Sequence, residues 1–219
     1  MTSKHPDRQQ CLEIMKEYGT PPHVVRHCIG VTDCAVRIGE ALNRTCGTRI
    51  APMQDVTFKQ VPSGHGHMAY EIDHDKTVID TGKSRTFDLE LTEASGLLHD
   101  MARVWDNHWD VAADYCLEHG MEDEAKVIRV HMQYNFTTDA AHLTEADLVC
   151  LGDRLILEDK YVGLDARMDY IIEKAEKNGN MKARDAINRR KEKTKVLLRD
   201  IEDRIGMSLD ELLSDIGND

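Results

Sequence analysis

The sequence predicts an all-α protein, and three observations support this fold class. Apolar residues recur at spacings of three and four positions along most of the 219 residues. Helix-capping residues separate these segments, as where Asp147 follows Thr144 by three positions. Residues that favour β-structure gather only within 47–90. A chain of this length suits one helical domain over 1–219 with a sizeable core.

The helices are predicted one by one from apolar stripes and end signals. The first runs from His23 to Leu42, with Val24, His27, Cys28, Val31, Ala35, Ile38 and Leu42 on one face. The second holds Leu91, Ala94, Leu98, Ala102 and Trp105. The next three are predicted from Asn107 to Gly120, from Glu122 to Tyr134 and from Thr144 through Leu157.

Two further regions complete the predicted architecture. Residues 47–90 are expected to form an inserted loop or small β-hairpin, with β-favouring pieces at 55–58 and 76–79. Helices are expected over 165–215, where 168–204 is rich in charge and is interrupted at 178–180. The basic run 189–191 is balanced by nearby acids, which favours a solvated helix face.

Charge and cysteine content exclude several classes of protein. The net charge of −12 argues against a protein that binds nucleic-acid polymers, which would need excess Lys and Arg. The six cysteines form no Cys-x-x-Cys pair, so a thiolate zinc site is not expected. No apolar leader or membrane-spanning stretch is evident, which predicts a cytoplasmic protein with no membrane partner. The sequence leaves the oligomeric state open.

His99 and Asp100 form the most informative pair, because they lie inside the apolar run 95–103. Burying a carboxylate is costly unless a cation compensates it, and a divalent metal ion would do so. His27, His131 and Asp153 also fall on apolar helix faces. Each alone favours an ordinary core or capping residue, but inward His and Asp residues on several helices together are typical of metal sites in helical bundles.

The order His27, His99-Asp100, Asp153 resembles the H…HD…D pattern of the HD-domain metal-dependent phosphohydrolases. The similarity covers residues 20–160, which it implies are the domain core, and it is carried by 97–103, 107–113 and 151–155. The insertion at 47–90 is the main departure. The resemblance implies an HD-domain helical bundle. It also implies that one metal ion is held by His27, His99, Asp100 and Asp153.

Binuclear members of that superfamily, such as the symmetrical diadenosine tetraphosphate hydrolases, carry two more histidines between the HD pair and the last Asp. His108 and His131 occupy those places in this chain. By this resemblance, Asp100 would bridge to a second ion held by His108 and His131.

The residue types indicate which metal and which chemistry to expect. Imidazole nitrogen with carboxylate oxygen suits one or two divalent transition ions, namely Fe, Mn, Co, Ni or Zn. Two ions roughly 3.5–4 Å apart can hold a hydroxide and clamp a phosphoryl oxygen. Arg103 lies four residues after His99 and three after Asp100, hence on the same helical face, and is the first choice for a phosphate contact. Arg26 and Arg154 neighbour expected ligands but point elsewhere on their helices.

The predicted function is therefore a phosphohydrolase that cleaves a phosphoester or phosphoanhydride of a nucleotide or small phosphorylated metabolite. Asp100 and Arg103 are its expected catalytic residues. The same resemblance also allows a di-iron oxygenase. A third possible function is a catalytically silent metal-binding regulatory module.

Overall fold

The computed structural model describes residues 4–45, 47, 53, 56–62, 68–73, 84–133 and 136–218. It confirms an all-α fold with a small β-hairpin. The helices are α1 Arg8–Tyr18, α2 Pro22–Thr45, α3 Leu89–Leu98, α4 His108–Glu118, α5 Glu122–Val130, α6 Glu145–Asp153, α7 Gly163–Lys177, α8 Met181–Ile205 and α9 Leu209–Leu213. Within the described ranges, no helix is long and apolar enough to cross a membrane.

The long helix α2 is the centre of the packing. Its buried face, which includes Val31, Ile38 and Leu42, contacts α3, α6, α8 and α9. α6 begins at a capping box, as predicted: the Thr144 backbone N–H donates to Asp147 Oδ2 at 2.7 Å, and the Asp147 N–H donates to Thr144 Oγ1 at 3.3 Å.

The insertion contains an antiparallel hairpin of β1 (Phe58–Pro62) and β2 (Met68–Ile72), in which Phe58 pairs with Ile72. A hairpin was predicted here, but the expected piece 55–58 overlaps β1 only at Phe58, and 76–79 lies outside the described residues. β2 packs against α5 and against a 3₁₀ turn at His131–Gln133. The hairpin therefore lies beside the end of α5.

The predicted extension of the second helix to Trp105 is wrong, because α3 ends at Leu98. The Gly96 carbonyl accepts from the His99 ring at 2.7 Å instead of continuing the helical ladder. Beyond it, Met101 and Arg103 donate to carbonyls three residues earlier. A series of tight turns thus replaces the helix through 99–107.

α6 also ends early, at Asp153 rather than Leu157. Residues 156–157 form β3, which pairs with β4 (Lys160–Tyr161) through a turn in which Glu158 adopts φ +57°. The Leu155 carbonyl accepts from Val162 and closes this hairpin. The hairpin's backbone hydrogen bonds therefore displace the last helical turn that the apolar pattern predicted.

The interruption near 178–180 is confirmed, since α7 ends at Lys177 and α8 begins at Met181. The solvated-face prediction for 189–191 is wrong for Arg190. Arg190 lies on the inner stripe of α8 together with Ile187, Leu197 and Ile201, and its side chain is half-buried.

Two glycines let the other helices approach α2 closely. A Cβ at Gly152 of α6 would lie 2.6 Å from the Val31 carbonyl oxygen, and one at Gly96 of α3 would lie 2.6 Å from Thr32 Oγ1. Both distances are shorter than any normal contact. Only glycine fits at these positions, so both helices are held against α2 near its histidine His27.

An N-terminal residue, His5, connects the start of α3 with the start of α5. His5 is buried, and its Nδ1 lies 2.6 Å from Glu124 of α5, while its Nε2 lies 3.4 Å from Asp88, the N-cap of α3. Contacts with Asp88 and Glu124 raise the pKa of His5 to about 9. The imidazolium of His5 therefore bridges two acids at neutral pH.

We predict that Gly152→Ala lowers the free energy of unfolding by about 1–3 kcal/mol, because a backbone oxygen cannot move aside as a side chain can. Chemical denaturation measures the change. Gly179→Asn is the control, since a Cβ there meets nothing within 4 Å and Asn tolerates the left-handed backbone. Equal stability of Gly152→Ala and wild type would contradict the tight α2–α6 contact.

We predict that the contribution of His5 to stability depends on pH. A raised folded-state pKa means that its contribution is complete below pH 6.5 and is lost as the pH rises through about 9. The difference in unfolding free energy between wild type and His5→Gln should fall over that interval, by up to about 3 kcal/mol. His23→Gln, at an exposed histidine, should give no such trend. A constant difference from pH 6 to 10 would rule out the bridge.

Candidate metal centre

Six of the predicted site residues form two groups that could each hold a metal ion. One group is His27, His99 and Asp153, and the other is Asp100, His108 and His131. In each group one nitrogen or oxygen atom per residue lies within 4.8 Å of the others. The rings of His99 and His131, one from each group, have centroids 5.2 Å apart. The two groups are therefore adjacent.

The ends of helices supply most of these side chains. His99 follows α3, His131 follows α5, Asp153 closes α6, and His108 opens α4. His27 alone comes from within a helix, one turn before Val31 of α2. The ends of these helices lie close together, so side chains that are far apart in the sequence come together at one site.

Three of the histidines are oriented by backbone carbonyls. The Nδ1 atoms of His27, His99 and His131 each lie 2.7 Å from the carbonyl oxygens of Glu158, Gly96 and Ile128, respectively. A carbonyl only accepts hydrogen bonds, so each Nδ1 carries the proton. In the neutral ring, the lone pair is then on Nε2. This arrangement is typical of metal-binding histidines, whose second nitrogen is held in the same way.

The inward-facing atoms lack the hydrogen bonds that buried polar groups usually make. Among the described residues, the buried atoms His99 Nε2, His131 Nε2 and Asp100 Oδ1 have no hydrogen-bond partner. Asp100 Oδ1 lies 3.0 Å from His108 Nε2 and 3.4 Å from His131 Nε2, while its Oδ2 lies 3.8 Å from His99 Nε2. Lone pairs that converge in this way fit a cation, which would satisfy all of them.

The pKa values of His99 and Asp100 favour the protonation states that a metal requires. Burial lowers the pKa of His99 to about 4, so its ring is neutral at pH 7. Burial alone would raise the pKa of the Asp100 carboxyl, but the surrounding imidazoles, His99 first, outweigh it and hold that pKa well below its usual range. Neutral imidazole and ionised carboxylate are the ligand forms of these groups.

Asp153 has a partner that the sequence did not reveal. Its Oδ1 lies 3.2 Å from His27 Nε2, and Arg167 of α7 donates to its carboxylate at 3.2 Å and to its backbone carbonyl at 3.0 Å. These contacts outweigh burial and hold the pKa of the Asp153 carboxyl well below its usual range. Arg167 carries no sequence signal, since it is one of many charged residues on α7.

Arg103 lies beside Asp100, as expected, although no helix carries it there. Its Nε lies 3.4 Å from Asp100 Oδ2, and its Nη1 lies 2.9 Å from His108 Nε2. The side chain is 48% exposed, so it reaches from the buried carboxylate to solvent. Because Nη1 and a metal ion would compete for His108 Nε2, ion binding at His108 requires the guanidinium to move outward.

The structure thus brings together His27, His99, Asp100, His108, His131 and Asp153, with Arg103 at the rim. Buried His and Asp groups are present that could hold a metal ion, and Arg167 is a direct contact of Asp153 that the sequence reasoning missed. In comparisons with known proteins, the chain matches no protein-family model, no curated protein and no solved structure. The HD-domain resemblance therefore stays a prediction that rests on the residues themselves.

Proposed function

We propose that this protein is a metal-dependent phosphohydrolase that acts on a nucleotide or another small phosphorylated metabolite. The observation that carries the proposal is the pair of adjacent His/Asp groups, in which the inward atoms His99 Nε2, His131 Nε2 and Asp100 Oδ1 have no hydrogen-bond partner among the described residues. Thiolates are absent from both groups, and an arginine stands at the rim. This combination suits hydrolysis at phosphorus.

The positions of the nitrogen and oxygen atoms suggest which residues would hold each metal ion. His27, His99 and Asp153 would hold one ion, and Asp100, His108 and His131 the other, with the two oxygens of Asp100 directed at different histidines. Nitrogen and oxygen donors of this kind favour Mn, Fe, Co, Ni or Zn. Bound ions would supply Lewis acidity and a nucleophile at neutral pH.

The chain's own residues would position and stabilise the substrate. Carbonyl contacts at Nδ1 fix three rings, so the ligand atoms need little reorganisation. Arg167 holds Asp153 in place through its backbone and side chain. Arg103, once displaced from His108, presents a planar set of donors to phosphoryl oxygens and offsets the charge that develops on them. Nothing in this arrangement calls for a phosphorylated enzyme residue.

The direct test is phosphate release from a panel of nucleotides and sugar phosphates, with the protein loaded with Mn, Co, Ni or Fe. Metal content is measured on anaerobically purified protein. Release that requires the metal supports the proposal. Oxygen consumption by the iron-loaded protein without phosphate release would instead favour a di-iron oxygenase, and bound metal with neither activity would favour a regulatory module.

We predict that Asp100→Asn weakens metal binding by at least about tenfold and abolishes hydrolysis, because the variant loses the charge that faces three imidazoles. Bound metal is measured by elemental analysis and helix content by circular dichroism, which should stay unchanged. Asp106→Asn is the matched control, at an exposed acid in the same turn region. Hydrolysis that survives Asp100→Asn would place the reaction elsewhere.

We predict a different effect for Arg103→Met, in which metal content is kept while kcat/KM falls by about 100-fold, the usual cost of removing one transition-state donor. Arg26→Met serves as the control, since Arg26 is exposed and pairs with Asp159. Steady-state kinetics with metal analysis on the same samples separates the two roles. Loss of metal from Arg103→Met would show that the arginine supports the centre rather than the substrate.

A further inference from the structure

The β3–β4 turn, which orients His27, is in close contact with two glycines from other parts of the chain. The Glu158 carbonyl of this turn accepts from His27 Nδ1 at 2.7 Å. A Cβ at Gly30 of α2 would lie 3.0 Å from the neighbouring Asp159 carbonyl oxygen, and one at Gly217 would lie 2.4 Å from the same oxygen. The turn is therefore held closely by α2 and by the chain that follows α9.

The segment that follows α9, residues 214–218, also binds the β3–β4 hairpin through hydrogen bonds. The Tyr161 backbone N–H donates to the Ile216 carbonyl at 3.3 Å, and the Tyr161 hydroxyl donates to Asp210 Oδ1 of α9 at 2.7 Å. Ile216 is buried in the core, and α9 packs against α2. The segment 214–218 is thus anchored to the core while it contacts the hairpin.

The turn has a backbone conformation that it would not favour alone. Glu158 adopts φ +57°, and among the residues that the structure describes it is the only one other than glycine with a positive φ. In a two-residue hairpin turn, a positive φ at the first position alone favours glycine, because a side chain there is strained. Strained backbone persists where the surrounding contacts hold it in place. The contacts of Gly217, Tyr161 and Gly30 meet that condition.

His27 depends on tertiary contacts more than the other carbonyl-bound histidines of the centre do. The Nδ1 atoms of His99 and His131 each contact a carbonyl three residues earlier in the chain. His27 instead contacts a carbonyl 131 positions away. The orientation of His99 and His131 is therefore set locally, whereas that of His27 requires the β3–β4 turn to be in place.

We propose that the segment 214–218 is a positioning element of the metal centre. Its contacts hold the β3–β4 turn in place, and the Glu158 carbonyl then directs His27 Nε2 to within 3.2 Å of Asp153 Oδ1. Loss of the partner of a ligand histidine's second nitrogen weakens metal binding by about ten- to 100-fold. The inference rests on the metal centre proposed above and is independent of the reaction catalysed there.

The test compares Gly217→Ala with Gly206→Ala in the full-length protein. Both glycines have a left-handed backbone, with φ +77° and +72°, so both variants carry comparable local strain. A Cβ at Gly206 meets nothing within 4 Å, whereas one at Gly217 must displace either the turn or the segment 214–218.

Cobalt(II) binding, followed by calorimetry and visible absorption, measures the effect. Gly217→Ala should bind one of two cobalt ions at least about tenfold more weakly than wild type, and Gly206→Ala should bind both as wild type does. Equal weakening in the two variants would overturn the proposal, because left-handed strain alone would then account for it.

A double-mutant cycle with His27→Gln separates positioning from a general loss of structure. If the segment 214–218 acts through His27, adding Gly217→Ala to His27→Gln leaves cobalt binding as it is in His27→Gln alone. A further loss in the double variant would mean that the segment acts elsewhere, which contradicts the proposal. Circular dichroism should show the same helix content in all four proteins of the cycle.

Tyr161→Phe tests the same contact without adding an atom, so it decides the matter if Gly217→Ala does not fold. It removes the hydrogen bond to Asp210, and one cobalt ion should bind about two- to tenfold more weakly than to wild type. Tyr18→Phe, which removes a hydroxyl from α1, is the control and should bind cobalt as wild type does. Wild-type affinity in Tyr161→Phe would contradict the proposal.

These binding measurements need no substrate, so they distinguish this inference from the proposed function. Cobalt binding that responds as expected, in a protein that releases no phosphate, would count against the hydrolysis alone. A wild-type protein that binds no cobalt would overturn the metal centre and this inference together.

Discussion

A buried carboxylate surrounded by imidazoles is the interaction around which this structure is organised. Asp100 is ionised, and its two oxygens face His108 and His131 on one side and His99 on the other. An ionised group at this depth requires a compensating positive charge. The ends of α3, α5 and α6 and the start of α4 converge to provide the surrounding ligands, so the helix boundaries and the site determine each other.

The helices are held in fixed positions by close contacts that leave no space for a larger side chain. Gly96 and Gly152 bring α3 and α6 against α2 at distances that no other residue allows. Carbonyl groups exposed by the early helix ends then orient His99 and His131, and the β3–β4 turn orients His27. The helix ends therefore contribute to the site directly, because carbonyl groups near the ends of α3 and α5 accept hydrogen bonds from the rings of His99 and His131.

Charge is distributed unevenly in this acidic chain. Acids outnumber basic residues by 40 to 28, yet Arg103 and Arg167 lie beside the His/Asp groups. Arg167 is committed to Asp153, and Arg103 contacts Asp100. A centre that binds an anionic ligand needs this local reversal of charge, which steers and holds that ligand against the overall field.

The amino-acid pattern alone predicted the helical class, the α6 capping box, the break between α7 and α8, and the six His and Asp residues that come together. Periodicity and capping are local, so they are readable from the chain. Tertiary structure decided where α3 and α6 stop, because carbonyls there bind a histidine ring or a hairpin instead of the next helical turn. It also decided the role of Arg167, since the partner of a charged side chain depends on which helices pack together.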